Sequence, residues 1–292
     1  MAALLQQRRI VPGGCQTTYS NVLATAHDYF AYSSTLGTYV YKLRGVGGGN
    51  KNAVLYSIFA AHTGCITSLC FSYQTDPVSL SCRCVQGKMV PCLLLFLRLL
   101  PSAINIYSLM LWKLIAQCFW QLLLATCGRD KKVYIYDVVK GIEIVGFSLA
   151  SMAYSVSFDP HQHGHLVIGC ASGRVLHASL FHDALSVLGH RKVKDKIKCI
   201  PLYTSATRCE IARFAPPGDG PKSSHFASGH EDGSVHVYHF GTSTFEVIQP
   251  GKDANERTHT VVDLRFDALS EGGRYLLIAY SNGRIGLVLQ SL

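Results

Sequence analysis

The stretch LLATCGRDKKVYIYDV, residues 123–138, decides the fold. An apolar run over residues 122–125 reaches a tight turn at Gly128-Arg129-Asp130-Lys131. A period-two strand follows, with Val133 and Ile135 on one face and Tyr134 and Tyr136 on the other. Gly and Asp supply turn geometry, and β-branched and aromatic residues suit a pleated surface. The same grammar returns at residues 166–178 (LVIGCASGRVLHA), 225–238 (HFASGHEDGSVHVY) and 275–288 (YLLIAYSNGRIGLV), with a looser copy at 29–41 (YFAYSSTLGTYVY). Repetition is the first fact to explain.

A further strand precedes several of these hairpins. Ile66, Leu69 and Phe71 alternate with small residues after Ala61-His62-Thr63-Gly64; residues 259–267 match them, and residues 152–160 match in part. An opening strand, a hairpin and one more strand before the next unit make four strands per unit, the signature of a propeller blade. Equivalent turn positions fall at Gly37, Lys131, Gly173, Gly233 and Gly283, in steps of 94, 42, 60 and 50 residues. Blades of this kind run about 40–45 residues. Loop insertions at 216–221 and 251–255 absorb the two moderate excesses.

The step of 94 is another matter. Residues 73–121 are apolar without strand alternation, around Leu93-Leu94-Leu95-Phe96-Leu97 and Ile104–Trp112. Pro91, Arg98, Pro101 and Lys113 interrupt them before any uncharged run reaches the ~18–20 residues of a membrane span. The expected organisation is residues 1–73 as the first blade and the start of the second, 74–122 as an apolar, helical insertion, and 123–292 as the remaining blades. The strand at 66–72 then belongs to the same blade as residues 123–138. Whether the transcript encodes residues 74–122 is the observation that bears most directly on this division.

The chain has 292 residues, 48% of them hydrophobic and only 15% charged, which excludes a disordered chain and supplies ample core. The net charge of +9 admits an anionic partner. The basic residues are scattered, however, and the densest group, Arg191 to Lys198, reads as a solvated loop. Eleven cysteines follow no paired framework, and residues 1–9 lack an apolar core of signal-peptide length. The expectation is reduced thiols in a cytoplasmic chain.

The chemical motifs are weak. The glycine run 45–50 lacks the Gly-Lys-Ser/Thr ending of a phosphate loop and reads as a flexible surface linker. His161, His163 and His165 alternate as zinc or copper ligands would, but they follow Asp159-Pro160 in a loop, and Cys82-Arg83-Cys84 lacks a second pair. No nucleophile elbow, zinc-protease or dinucleotide signature is legible. The expectation is no enzyme, no metal and no cofactor.

The blade pattern resembles the WD-repeat family. Ala61-His62 and Thr258-His259 stand where that family has Gly-His. Asp130, Asp232 and Asn282 occupy its turn position, and Tyr136-Asp137 replaces Trp-Asp. The start (Gly14-Cys15-Gln16 and residues 28–43), residues 228–235 and the tail from Val262 resemble the first propeller of a tandem-propeller member of the family. Residues 73–121 have no counterpart there. The resemblance implies an all-β WD-repeat β-propeller of about five recognisable blades, incomplete or open, that needs further blades or a partner to close. It also implies a structural blade network of His62, Asp130, Asp137, Asp232 and His259.

The function it implies is a non-enzymatic platform for protein or peptide partners, with rim contacts at Arg129, Lys131, Arg174, His230, Glu231 and Arg284. An RNA-binding propeller using residues 192–198 is the first rival, and a membrane-attached scaffold using residues 90–124 is the second.

Overall fold

The computed structural model describes residues 22–46, 50–72, 122–162, 164–180, 197–216, 225–249, 258–267 and 274–289. Among them there is no helix, and therefore none long and apolar enough to cross a membrane. Among the described residues nineteen strands form five antiparallel sheets, each a meander in chain order. The first is β1 (Leu23–Ala26), β2 (Tyr29–Ser34), β3 (Gly37–Val46) and β4 (Asn50–Phe59). The second is β5 (Ile66–Phe71), β6 (Leu123–Gly128), β7 (Lys132–Asp137) and β8 (Ile142–Ser148). The third is β9 (Ala153–Phe158), β10 (His165–Cys170), β11 (Arg174–Ser179) and β12 (Lys198–Thr204), and the fourth is β13 (Cys209–Phe214), β14 (His225–His230), β15 (Val235–His239) and β16 (Thr244–Ile248). The fifth has three strands, β17 (Val261–Phe266), β18 (Tyr275–Tyr280) and β19 (Ile285–Leu289).

The opening strands stand in a row. β5 packs on β1 and β9, β9 packs on β13, and β13 packs on β17. Five repeated sheets whose first strands adjoin in sequence are consistent with a propeller-like arrangement. Extensive packing between the fifth sheet and the first does not occur among the described residues.

Alternation explains the core. Each sheet turns one side chain in two toward its predecessor and the others toward its successor. Ala31, Val40 and Phe59 of the first sheet thus meet Leu69, Phe71, Leu124, Tyr134 and Tyr136 of the second. The opposite face of the second, with Ala125, Val133 and Ile135, meets Val156, Phe158, Leu166 and Ile168 of the third. Two further clusters join the third sheet to the fourth and the fourth to the fifth. Small polar side chains on the opening strands add cross-links. The Thr67 hydroxyl donates to the Ala153 carbonyl at 2.7 Å, and the Val156 N–H donates to Ser68 Oγ at 3.3 Å. One junction on, the Ala212 N–H donates to Ser155 Oγ at 2.8 Å and the Phe214 N–H to Ser157 Oγ at 3.4 Å. Ile211 and Arg213 occupy the matching places in the fourth sheet, where the junction to the fifth is apolar.

The second sheet unites strands far apart in sequence. Leu69 pairs with Thr126 and Phe71 with Leu124, so residues 66–72 and 123–138 share one sheet, as the repeat pattern requires. Residues 73–121, the expected helical insertion, lie outside the described residues, as do Cys82, Cys84 and residues 191–196. One expectation is corrected. Gly45, Val46 and Asn50 of the glycine run belong to strands and not to a linker, because β3 and β4 are ten-residue strands paired as far as Val46 with Asn50; residues 47–49 lie outside the described residues. Lys51 lies in a strand, so no helix follows to cradle a phosphate.

Candidate interaction rim and buried networks

In the second, fourth and fifth sheets the turn between the second and third strands shares one construction. An Asx side chain accepts the backbone N–H two residues on: Asp130 Oδ1 from Lys132 at 3.2 Å, Asp232 Oδ1 from Ser234 at 3.0 Å and Asn282 Oδ1 from Arg284 at 3.0 Å. This Asx bond pre-forms a tight turn. The residue at the following turn position is left-handed in the second to fifth sheets. Gly173, Gly233 and Gly283 have φ of 76°, 84° and 83°, and Lys131 has 61°. A side chain in that region costs about 1–2 kcal/mol, and glycine there is spared it. Lys131→Gly is therefore expected to stabilise the chain by about 0.5–1 kcal/mol. The check is a higher urea midpoint at unchanged m-value.

These turns lie at the end where the opening strands begin. The Ile66 N–H donates to the Thr35 carbonyl, the Arg129 N–H to the Cys65 carbonyl, and the Thr260 hydroxyl to the Glu231 carbonyl. Arg129, Lys131, Arg174, Glu231 and Arg284 are gathered on that rim, on tight turns, and all five are exposed. Arg208 joins them. It ion-pairs with Glu210 and with Glu231 at 3.4 Å, and its guanidinium lies 5.5 Å from the Tyr154 ring.

His230 is the correction to the rim. Its place in Gly229-His230-Glu231-Asp232 reads as an exposed turn, yet both it and Ser228 are 0% exposed. Alternation along β14 returns the ring to the Ser228 face. Ser228 Oγ lies 3.0 Å from His230 Nε2, and His230 Nδ1 lies 3.4 Å from the Thr207 carbonyl. A carbonyl only accepts, so Nδ1 carries the proton and Nε2 accepts from Ser228. The Tyr203 hydroxyl bonds Ser228 Oγ from the other side. A Ser–His pair of this kind has the bonding of an acyl-transfer dyad, but full burial keeps substrate from it, and its role is structural.

The second sheet holds a parallel chain of bonds. His62 Nδ1 donates to the Asp130 carboxylate at 3.0 and 3.1 Å, and Nε2 accepts from Thr126 Oγ1 at 2.9 Å. Tyr136 lies within hydrogen-bonding reach of Thr126, and Tyr134 meets the imidazole edge-on at 4.7 Å. Asp130 also accepts from the Thr63 N–H at 3.0 Å. Burial depresses His62 below the usual imidazole range, more than Asp130 raises it. Burial alone would raise Asp130, but its bonds from His62, Thr63 and Lys132 hold the carboxyl below its usual range. The pair is a neutral imidazole donating to a carboxylate.

Gly128 makes room for this. A Cβ there would lie 2.9 Å from His62 Nδ1. The residue at Gly128's place in the fourth sheet is His230, sixth in its strand as Gly128 is in β6. The imidazole thus reaches the same hydroxyl position from two different points of the backbone. Sequence reading missed this exchange; Ser228 two residues before His230 on one strand face was the available signal.

The other expected network members do different work. Asp137 is buried and accepts from the Lys140 N–H at 3.0 Å, with the Lys140 ammonium 3.3 Å away, so it closes the turn after β7. Asp232 braces its turn through the Ser234 N–H and hydroxyl. His259 precedes β17, and Ile278 stands where Thr126 stands in the second sheet.

The His161 N–H donates to Asp159 Oδ1, His165 pairs with His177 at 3.1 Å, and His163 lies outside the described residues. Among the described residues no group of three or more His, Cys, Asp or Glu could hold a metal. The six described cysteines are free thiols, and burial pushes Cys127 up to about 12 and Cys170 to about 11, which keeps them protonated and poorly nucleophilic.

No family model and no curated protein matches the chain.

Proposed function

We propose that this protein is a non-enzymatic scaffold, a WD-repeat-type propeller platform whose turn rim docks protein or peptide partners. The observation that carries the reading is the construction of the rim: Asx-braced turns on the second, fourth and fifth sheets and a Ser172-Gly173 turn on the third, at one end, presenting Arg129, Lys131, Arg174 and Arg284 beside Glu231. Sheets fixed by apolar faces hold the turns rigid, and rigid turns let side chains vary to suit a partner. The preponderance of arginine and lysine favours an acidic partner segment, because arginine bonds carboxylates in pairs.

The test compares the wild-type chain with Arg129→Glu/Arg174→Glu/Arg284→Glu and with Lys198→Glu, which lies at the opposite end of its sheet. Partners captured by the wild type and by Lys198→Glu are expected to fall at least about tenfold with the triple variant, since opposed charges at a docking site act on both encounter and retention. Equal capture by all three chains would refute the rim, and so would substrate turnover traced to a rim side chain.

A further inference from the structure

One pair of side chains in the third sheet belongs neither to the rim nor to the buried networks of the second and fourth sheets. His165 opens β10, and His177 lies on β11 opposite Val167, so the two are diagonal neighbours across the strand pair. Diagonal neighbours stand about 7–8 Å apart at the backbone, a gap that two long side chains close. Val167 and Val175 of the same strands face the fourth sheet, and alternation puts both imidazoles on that face. There His165 Nδ1 lies 3.1 Å from His177 Nε2. Phe240, just after β15, meets the His177 ring edge-on at 5.2 Å. Both histidines are half-buried, so the pair is held in place and solvent still reaches it.

The surroundings suit a cation. Burial and the neighbouring His165 hold His177 down to about 4, so at neutral pH its ring offers lone pairs and no charge. Ser179 Oγ lies 3.4 Å from His165 Nε2, the nitrogen turned away from His177. A proton held on Nε2 has an acceptor there, which leaves Nδ1 its lone pair, the usual support behind a metal-ligating imidazole. Asp159 stands opposite His165, its N–H bonded to the His165 carbonyl at 2.8 Å, and brings a carboxylate to the neighbourhood. Lys198, opposite Ser179, is exposed, where water screens its charge.

The geometry points to a two-histidine site for a late first-row dication, Ni²⁺, Cu²⁺ or Zn²⁺, bound between His165 Nδ1 and His177 Nε2. With metal–nitrogen bonds of about 2.0–2.1 Å, nitrogens 3.1 Å apart subtend about 95–102° at the metal. That lies between the right angle of a tetragonal site and the wider angle of a tetrahedral one. The proton shared by the two nitrogens in the metal-free pair passes through solvent to His177 Nδ1. Water completes the coordination, so the site is open and exchangeable. The metal clips β10 to β11 at the end of the sheet away from the Gly173 turn, and this inference does not rest on the rim.

The probe is Ni²⁺ alone, added to the full chain at neutral pH. Thirteen histidines and eleven cysteines give the chain other places to take up metal, so the test reads differences between variants. In titration calorimetry, His165→Gln and His177→Gln should each weaken the tightest binding at least about tenfold, and the double variant no more than either, because a chelate fails when either ligand goes. His161→Gln/His163→Gln should match the wild type. Melting temperatures without metal verify that the variants fold. A second measurement uses the wild type only: Ni²⁺ should slow carbethoxylation of His165 and His177, read by peptide mass spectrometry, and leave His259 unchanged. Losses that add in the double variant overturn the proposal, as does loss of binding with the loop variant. Equal modification of His165 and His177 with and without Ni²⁺ overturns it too.

Discussion

His62→Ala is expected to cost about 3 kcal/mol, at the low end for breaking a buried pair, because Asp130 keeps its bonds from Thr63 and Lys132 while losing the imidazole. Thr126 Oγ1 loses its acceptor in the same change. His62→Gln, which keeps an amide within reach, should recover part of the loss. The pH dependence carries the same signature. His62 is depressed below 6.5 in the fold, so the unfolded chain takes up a proton first as pH falls below 6.5. Asp130 is also depressed, so its contribution is full above its unfolded value and is lost as pH falls through its folded one. His177 and His230, held down to about 4 by burial, act in the same direction. Stability is therefore expected to fall as pH drops from about 6.5 toward 4. His62→Ala should flatten the upper part of that slope in urea titrations taken at several pH values. A slope identical to the wild type would mean that the imidazole is not held neutral by the fold.

Gly173→Ala is expected to cost about 2–5 kcal/mol, the sum of left-handed strain and an overpacked contact. Its φ is 76°, and a Cβ there would lie 2.2 Å from the Ser205 carbonyl oxygen and 2.7 Å from that of Thr207. Both atoms are backbone, and the Ser205 N–H already donates to the Gly173 carbonyl, so the connection between β12 and β13 must shift to admit a methyl group. Gly283→Ala is the matched comparison. Its φ is 83°, but nothing lies within 4 Å of the added Cβ. That change should cost only about 1–2 kcal/mol. Thermal melts of the two variants separate strain from contact, and equal losses would refute the contact.

The sheets were legible because each hairpin carries two independent signals, an alternating strand and a turn marked by Asx or Gly. Asp130, Asp232 and Asn282 do brace their turns as their positions imply. The pairing of β5 with β6 was legible too, since the repeat leaves Ile66–Phe71 no other sheet to join. The buried histidine of the fourth sheet was not. A histidine beside Glu231 and Asp232 looks solvated, and only the alternation fixed by register turns it inward. The arm formed by β3 and β4 was hidden by glycines, which weaken strand propensity without forbidding pairing. The serines that tie the opening strands together were unreadable for another reason. Ser68 and Ser155 lie 88 and 57 residues from their partners, Val156 and Ala212, which belong to the next sheet and so escape any local pattern.

The strand ends that bound residues 73–121 are joined directly. The Ser72 N–H donates to the Leu123 carbonyl at 2.8 Å, and the Leu123 N–H returns to Ser72 Oγ at 2.9 Å. A departing chain and a returning chain clasped at one point make a socket. The closure entropy of a connection grows only by about 0.6 kcal/mol per doubling of its length. About fifty residues in place of a four-residue turn thus cost about 2 kcal/mol, comparable to one well-buried side chain. The second sheet can therefore carry a graft of almost any size at this position, which makes it the natural point for attaching a reporter or a second domain without disturbing the strands on either side.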